Sequence, residues 1–284
     1  MMEEQKIDVA WSSLSAIENS AQSIQHHYFT AALGGLVARV IPMDEVQKVL
    51  DVGCGPGSWA IDMAKQYPRV HVTGIDIDEP ALRDARLQGY WSGNRRLSFL
   101  SMDATKLLAF ADGTFDLVYM RNAAFLRGDL WRCALEEIVR VSRPGGWVNL
   151  VEYEPGLTSS DAFNLLTNLH RQAMRSYTSH AEVAPSFVIR PAAHLYYLLL
   201  ETGLLEVSYT VHALDFGSSA SLGTREYIEQ LLATALRVKP FICRLNLIKP
   251  RKYDKLMMTA RQEMMHPNAC GYAYLISATG CKNG

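Results

Sequence analysis

Apolar positions along this chain follow two rhythms, and the change between them predicts where its core lies. Near the start, Leu14, Ile17, Ala21, Ile24, Tyr28 and Ala31 recur at three- and four-residue steps, which predicts a helix within residues 13–40. Gly34-Gly35 then breaks the pattern and Pro42 follows. From Val46 the chain alternates short apolar runs with helical stretches. Strands are predicted at Val46–Val52, Val70–Ile77, Leu97–Leu100, Phe115–Met120 and Trp147–Tyr153. Helices are predicted at Ser58–Tyr67, Pro80–Trp91 and Leu130–Val141, the last stopped by a turn at Pro144-Gly145-Gly146. Strand–helix alternation of this kind builds a parallel sheet with helices on both faces.

After Pro155 the rhythm changes. Residues 158–203 and 224–265 read as helical, while Glu206–Phe216 and Gly271–Thr279 alternate as strands do. With no linker or repeat, residues 1–284 form one expected domain. Its parts are a helical cover (1–44), a nucleotide-binding core (45–155) and two helical insertions (156–205 and 217–268) that would frame a second ligand.

Composition narrows the partners. A net charge of −1 and the lack of a dense basic patch argue against nucleic acid. The most apolar stretch, Leu195–Leu205, is interrupted by Glu201 and Gly203 and falls short of a membrane span, and the polar N-terminus does not resemble a secretory signal. The five cysteines lie apart without a CxxC pair, so neither zinc nor a disulfide framework is expected, and a reducing cytoplasm is the default compartment. The N-terminal helix leaves packing against a second copy open.

The strongest chemical signal is Asp51-Val52-Gly53-Cys54-Gly55-Pro56-Gly57, where an apolar strand runs into alternating glycines and then a helix. Glycines let a ligand approach the main chain, and the helix start offers unpaired N–H groups. Ser58 stands where a dinucleotide loop needs its third glycine, and Asp51 would repel a pyrophosphate. The same carboxylate would attract an ammonium group, so the loop fits S-adenosylmethionine better than NAD or ATP. Nineteen positions beyond Gly57, Asp76 ends the second strand, where a carboxylate reaches ribose hydroxyls. Ile77 can then lie against adenine. After the third strand, Asp103 can accept from an adenine amino group and the Ala104 N–H can meet a ring nitrogen.

Residues 49–57, 74–78, 101–104, 115–120 and 143–148 resemble, in order and spacing, the successive motifs of the class I S-adenosylmethionine-dependent methyltransferase family. The resemblance covers about residues 45–155. Trp59 and Gly34-Gly35 are similar to a bacterial and fungal branch linked to secondary metabolism. It implies an α/β fold: a Rossmann-like, doubly wound seven-stranded sheet, mostly parallel with an antiparallel last strand, plus helical cap insertions. It also implies that a residue of the N-terminal helix closes over the methionine end of the cofactor. Tyr28 is the candidate there, although it also lies on the apolar stripe of that helix. Arg121 and Asn122 end the fourth strand, where the sulfonium would lie.

The expected activity is methyl transfer to an O, N or C atom of a small apolar or aromatic acceptor. Phe163, Met174, Tyr177, Phe187, Tyr196, Tyr197, Phe241 and Met257 in the insertions could contribute to an apolar pocket. A general base is needed only if the acceptor must lose a proton, and His26, His27, Glu154 and His170 are the candidates by location. Glu152 and Glu154 share one face of the fifth strand and Tyr153 the other. Two other functions share the same cofactor motifs: a cyclase or pericyclase that transfers no methyl group, and a non-catalytic cofactor-sensing module. Ser58 and Asp51 weaken an NAD-dependent oxidoreductase.

Overall fold

The computed structural model describes residues 15–123, 126, 129–178, 191–215 and 224–284. Its centre is a seven-stranded sheet in the order β3-β2-β1-β4-β5-β7-β6. The strands are β1 (Lys48–Val52), β2 (His71–Asp76), β3 (Leu97–Ser101), β4 (Phe115–Arg121), β5 (Ser142–Thr158), β6 (Leu205–Asp215) and β7 (Gly271–Cys281). The helices are α1 (Ser15–Leu33), α2 (Ser58–Gln66), α3 (Glu79–Ser92), α4 (Asp129–Val141), α5 (Asp161–Thr178), α6 (Pro191–Glu201), α7 (Thr224–Arg244) and α8 (Pro250–Met264). Strands β1 to β5 run parallel, and β7 is antiparallel to both its neighbours. The expected fold is therefore the observed one.

The apolar runs explain the layering. Leu50 and Val52 face one side of β1 and Val49 the other, and all three are fully buried. One core joins Val49, Val72 and Leu117 to α1, α2, α3, α5, α7 and α8 through Phe29, Met63, Leu82, Leu166, Tyr227 and Tyr253. The opposite core joins Leu50, Val118 and Leu150 to Trp131 and Leu135 of α4 and Leu195 and Leu199 of α6. The sheet order reverses at β1, which pairs with β2 on one side and β4 on the other. A crevice opens beyond the strand ends at such a point.

Several expected boundaries shift for local reasons. Helix α1 ends at Leu33 rather than near residue 40, because Gly34 takes φ 73° and its N–H turns back to the Ala31 carbonyl. The expected turn at Pro144-Gly145-Gly146 lies inside β5, as a shift of register between Phe115↔Ser142 and Leu117↔Trp147. Gly145 and Gly146 exchange hydrogen bonds with Lys282 there, so the end of β7 holds the irregularity in the sheet. The helical stretch 224–265 is two helices, parted where Asn246 adopts φ 56° and Pro250 starts the second. Phe187 and Phe216 lie outside the described residues, as do the side chains of Met174 and Tyr177. Among the described residues, no helix is long and apolar enough to cross a membrane.

Candidate functional site

The crevice at the ends of β1 and β4 is a cavity of about 210 Å³ lined by Gln25, His26, Asp51, Gly53–Gly55, Pro56, Ser58, Trp59, Asp76, Tyr119, Arg121 and Asn122. Register brings its walls together, since Asp51 pairs with Gly74 of β2 and with Tyr119 of β4. The glycine turn that follows β1 is held by the Ile75 carbonyl, which accepts the N–H groups of Gly53 and Cys54 at 2.8 and 3.0 Å. Gly57 caps α2 with φ 81°, and a Cβ there would stand 2.6 Å from the Phe99 ring. The position therefore demands glycine both for its backbone and for its space.

Three buried polar atoms in this crevice find no hydrogen-bond partner among the described residues: Asp51 Oδ2, Tyr119 OH and Arg121 Nη1. Asp51 is only 3% exposed. Burial pushes its carboxyl up to about 7, against the opposing pull of Arg121 and with a further push from Asp76. Burial likewise raises Tyr119 to about 12. An unpaired buried acceptor or donor is costly, at roughly 1–3 kcal/mol, which marks the crevice as built for a polar occupant. Asp76 is placed by backbone: Oδ2 accepts the Gly55 N–H at 2.7 Å and Oδ1 the Asp78 N–H at 2.9 Å. Each oxygen keeps a lone pair for a further donor.

The other expected cofactor residues divide. Ile77 stands beside Asp76 with its side chain 69% exposed, free to cover a flat ring. Ala104 is buried. Asp103 Oδ1 caps its own turn by accepting from the Thr105 N–H and hydroxyl at 2.9 and 2.7 Å. Tyr28 does not line the crevice. Its ring stacks on Tyr227 at 4.6 Å and its hydroxyl donates to the Asp215 carbonyl. Arg121, at the end of β4, lines the cavity as expected of a residue there.

The candidate bases are dispersed. His26 is 2% exposed, with Nε2 3.0 Å from Asp62 Oδ2 and Nδ1 2.9 Å from Arg121 Nη2. Burial, with Arg121 beside it, holds the imidazole down at about 4 against the opposing effect of Asp62. His27 is exposed and bonds the Ser23 carbonyl at 2.8 Å, away from the lining. His170 is half-buried on α5, where burial lowers its basicity, and it too lies outside the lining. Glu154 borders a different cleft of about 620 Å³, walled by Tyr196, Tyr197, Tyr209, Val211, Tyr274 and Ile276.

Sequence reasoning missed Asp62 and passed over Glu152 as a site residue. Ser23 and His26 on α1 meet Ser58 and Asp62 on α2, and the i, i+4 polar pair on α2 was the available signal. Glu152 is 3% exposed and accepts the Ala123 N–H at 2.6 Å, so it pins the turn after β4. Burial pushes it up to about 8.

A glycine turn on a doubly wound sheet, with two carboxylates and one guanidinium in its crevice, has the form of a Rossmann-like nucleoside site. Residues 49–146 match a family described as a methyltransferase domain. Among curated relatives, the chain is 26% identical over 178 residues to a secondary metabolism regulator, laeA, of Aspergillus niger, covering 62% of this chain and 44% of the relative. It is 33% identical over 125 residues to a 27-O-demethylrifamycin SV methyltransferase of Amycolatopsis mediterranei, covering 44% of this chain and 45% of that one. The chain thus spans less than half the length of these relatives. Among solved structures, a phosphoethanolamine N-methyltransferase of Haemonchus contortus in complex with S-adenosylhomocysteine shares the fold with a TM-score of 0.52 and 18% identity, over 87% of this chain and 51% of that one.

Proposed function

We propose that this chain transfers a methyl group from S-adenosylmethionine to an O, N or C atom of a small apolar or aromatic metabolite. The observation that carries the reading is the buried Asp51 Oδ2, an acceptor left without a donor by the described residues at the mouth of the glycine turn. A pyrophosphate would meet Asp51 and Asp76 there with a single guanidinium to offset them, whereas an ammonium group supplies the missing donor. Asp76 would accept from the ribose hydroxyls, Ile77 would cover the adenine, and Ala104 with the remaining oxygen of Asp103 would meet its edge.

When bound, the cofactor supplies a methyl group already activated by a sulfonium leaving group. The protein's task is then alignment, which can contribute about 7–11 kcal/mol when reacting atoms are held in line. His26 has both ring nitrogens engaged, and no other expected base enters the crevice. The chemistry therefore rests on positioning. The tyrosine-walled cleft beside Glu154 of β5 supports an apolar or aromatic acceptor. The helical insertions would frame it, with residues 45–155 as the cofactor half.

The experiment is incubation with isotopically labelled cofactor and a panel of small phenols, amines and activated-carbon compounds, read by product mass. Label in a product heavier by one methylene supports the reading. A product of unchanged mass would mean ring closure instead. Calorimetric heat with NAD and none with S-adenosylhomocysteine would overturn it altogether.

A further inference from the structure

The helix α1 touches the cofactor crevice through a chain of three side chains on three elements. Asp62 of α2 bonds His26 of α1, and His26 bonds Arg121 at the end of β4, at 3.0 and 2.9 Å. A guanidinium can only donate, so Nδ1 of His26 is the acceptor and its proton sits on Nε2, pointing at Asp62. Lys65 holds the other Asp62 oxygen at 3.2 Å. The neighbouring residues repeat the link, since Asn122 Nδ2 donates to Gln25 Oε1 at 3.2 Å. Arg121 is confined on a further side by Phe29, whose ring centroid lies 5.9 Å from its Cζ.

This arrangement engages Nη2 with His26 and leaves Nη1 buried with no hydrogen-bond partner among the described residues. Asp51 Oδ2 lies in the same crevice, also without one, and the two residues interact through space with no hydrogen bond between them. An acceptor on Asp51 and a donor on Arg121, both unpartnered in one crevice, match the two charges of an amino-acid zwitterion. We propose that Arg121 Nη1 receives the α-carboxylate of the cofactor's amino-acid end, and that His26, oriented by Asp62, is the positioning residue that aims it. The inference rests on reading the crevice as an S-adenosylmethionine site. It makes His26 a fixed neutral strut instead of a base, and it ties α1 to cofactor occupancy.

Calorimetry with two ligands tests it on the full chain: S-adenosylhomocysteine, and 5′-methylthioadenosine, which keeps the nucleoside and sulfur but lacks the amino-acid end. His26→Leu and Arg121→Lys should each weaken S-adenosylhomocysteine on the order of tenfold, as expected for one charge-assisted hydrogen bond, and leave methylthioadenosine unchanged. His26→Gln, whose amide can both donate and accept, should recover most of the loss. Asp62→Asn should fall between. Equal weakening of both ligands would reduce His26 to a structural residue, and unchanged binding of both would remove it from the site; either overturns the proposal. Should His26→Leu fail to fold, the Gln and Lys variants carry the same comparison. If the wild-type protein binds neither ligand, the cofactor reading itself has failed, and the proposal with it.

Discussion

Asp76, at the end of β2, accepts the Gly55 N–H at 2.7 Å, so the second strand fixes the turn that leaves the first. The bond joins two signals that the sequence shows only as separate motifs. In the proposed function Asp76 then has two tasks, shaping the turn and accepting from the cofactor. Asp76→Ala should therefore lose more affinity for S-adenosylhomocysteine than one hydrogen bond explains, on the order of a hundredfold. Asp76→Asn, which keeps one acceptor oxygen, should lose less. Calorimetry on both variants checks this, and a loss for Asp76→Ala no larger than one hydrogen bond explains would show that the turn does not depend on the carboxylate.

Asp51 predicts a pH dependence of binding. Its carboxyl is raised to about 7, first by burial, with Arg121 opposing and Asp76 adding to the rise. In the free protein the folded state holds that proton longer than the unfolded chain does. This contribution to stability is therefore present at low pH and lost as pH rises from the ordinary carboxylate range towards about 7. A bound ammonium favours the carboxylate, so the affinity of S-adenosylhomocysteine should rise between about pH 6 and pH 8 and then level off. Near the lower limit, binding should expel a proton, visible as heat that varies with the buffer. Asp51→Asn should bind weakly and flatten the profile. A dissociation constant that does not change across this range would sink the assignment.

Phe99 is the shared neighbour of two glycines in the motifs. A Cβ on Gly74 would lie 2.7 Å from its ring and 2.9 Å from Cys54 Sγ, and a Cβ on Gly57 would lie 2.6 Å from the same ring. Gly74→Ala should cost about 1–3 kcal/mol through overpacking. Gly57→Ala should cost about 1–2 kcal/mol more, because φ 81° is a left-handed conformation. Urea unfolding measures both. Phe99→Leu should relieve each substitution, so the double variants should be more stable than the sum of the single effects; strict additivity would contradict the contact.

What the sequence made legible was what depends on neighbours in the chain. The glycine turn, Asp51 at its entrance and Asp76 at the next strand end lie within 26 residues, and strand–helix alternation suffices to carry them to one sheet edge. Contacts between distant elements were not legible in this way. The His26–Asp62 and His26–Arg121 bonds span 36 and 95 residues, and they depend on how α1 rolls against α2 and β4. The roll also decides the fate of Tyr28. It shares a stripe with Ile24 and Ala31, and that stripe meets Tyr227 of α7, leaving Gln25 and His26 to face the crevice. Likewise, Pro144-Gly145-Gly146 has the composition of a turn, but its partner is Lys282, at the far end of the chain.

The four candidate bases can now be ranked by what holds them. His27 faces outward on the Ser23 carbonyl, and His170 lies on α5 outside the crevice. Replacing either with Ala should change kcat by less than about threefold, far below the 10²–10⁴-fold that general base catalysis contributes. Glu154 borders the tyrosine cleft, so Glu154→Ala should act on the acceptor, raising its KM more than it lowers kcat. His26→Gln should leave kcat nearly intact, because its ring nitrogens are committed to Asp62 and Arg121 and burial keeps it neutral down to about pH 4. A base of that strength could not take a proton from a phenol near neutral pH, so kcat should show no inflection near the ordinary histidine value. Single-turnover rates with labelled cofactor, each scaled to folded protein, make the comparison. A hundredfold fall in kcat for any one of the four, together with loss of an inflection present in the wild-type pH profile, would identify that residue as a base and displace alignment as the main source of catalysis.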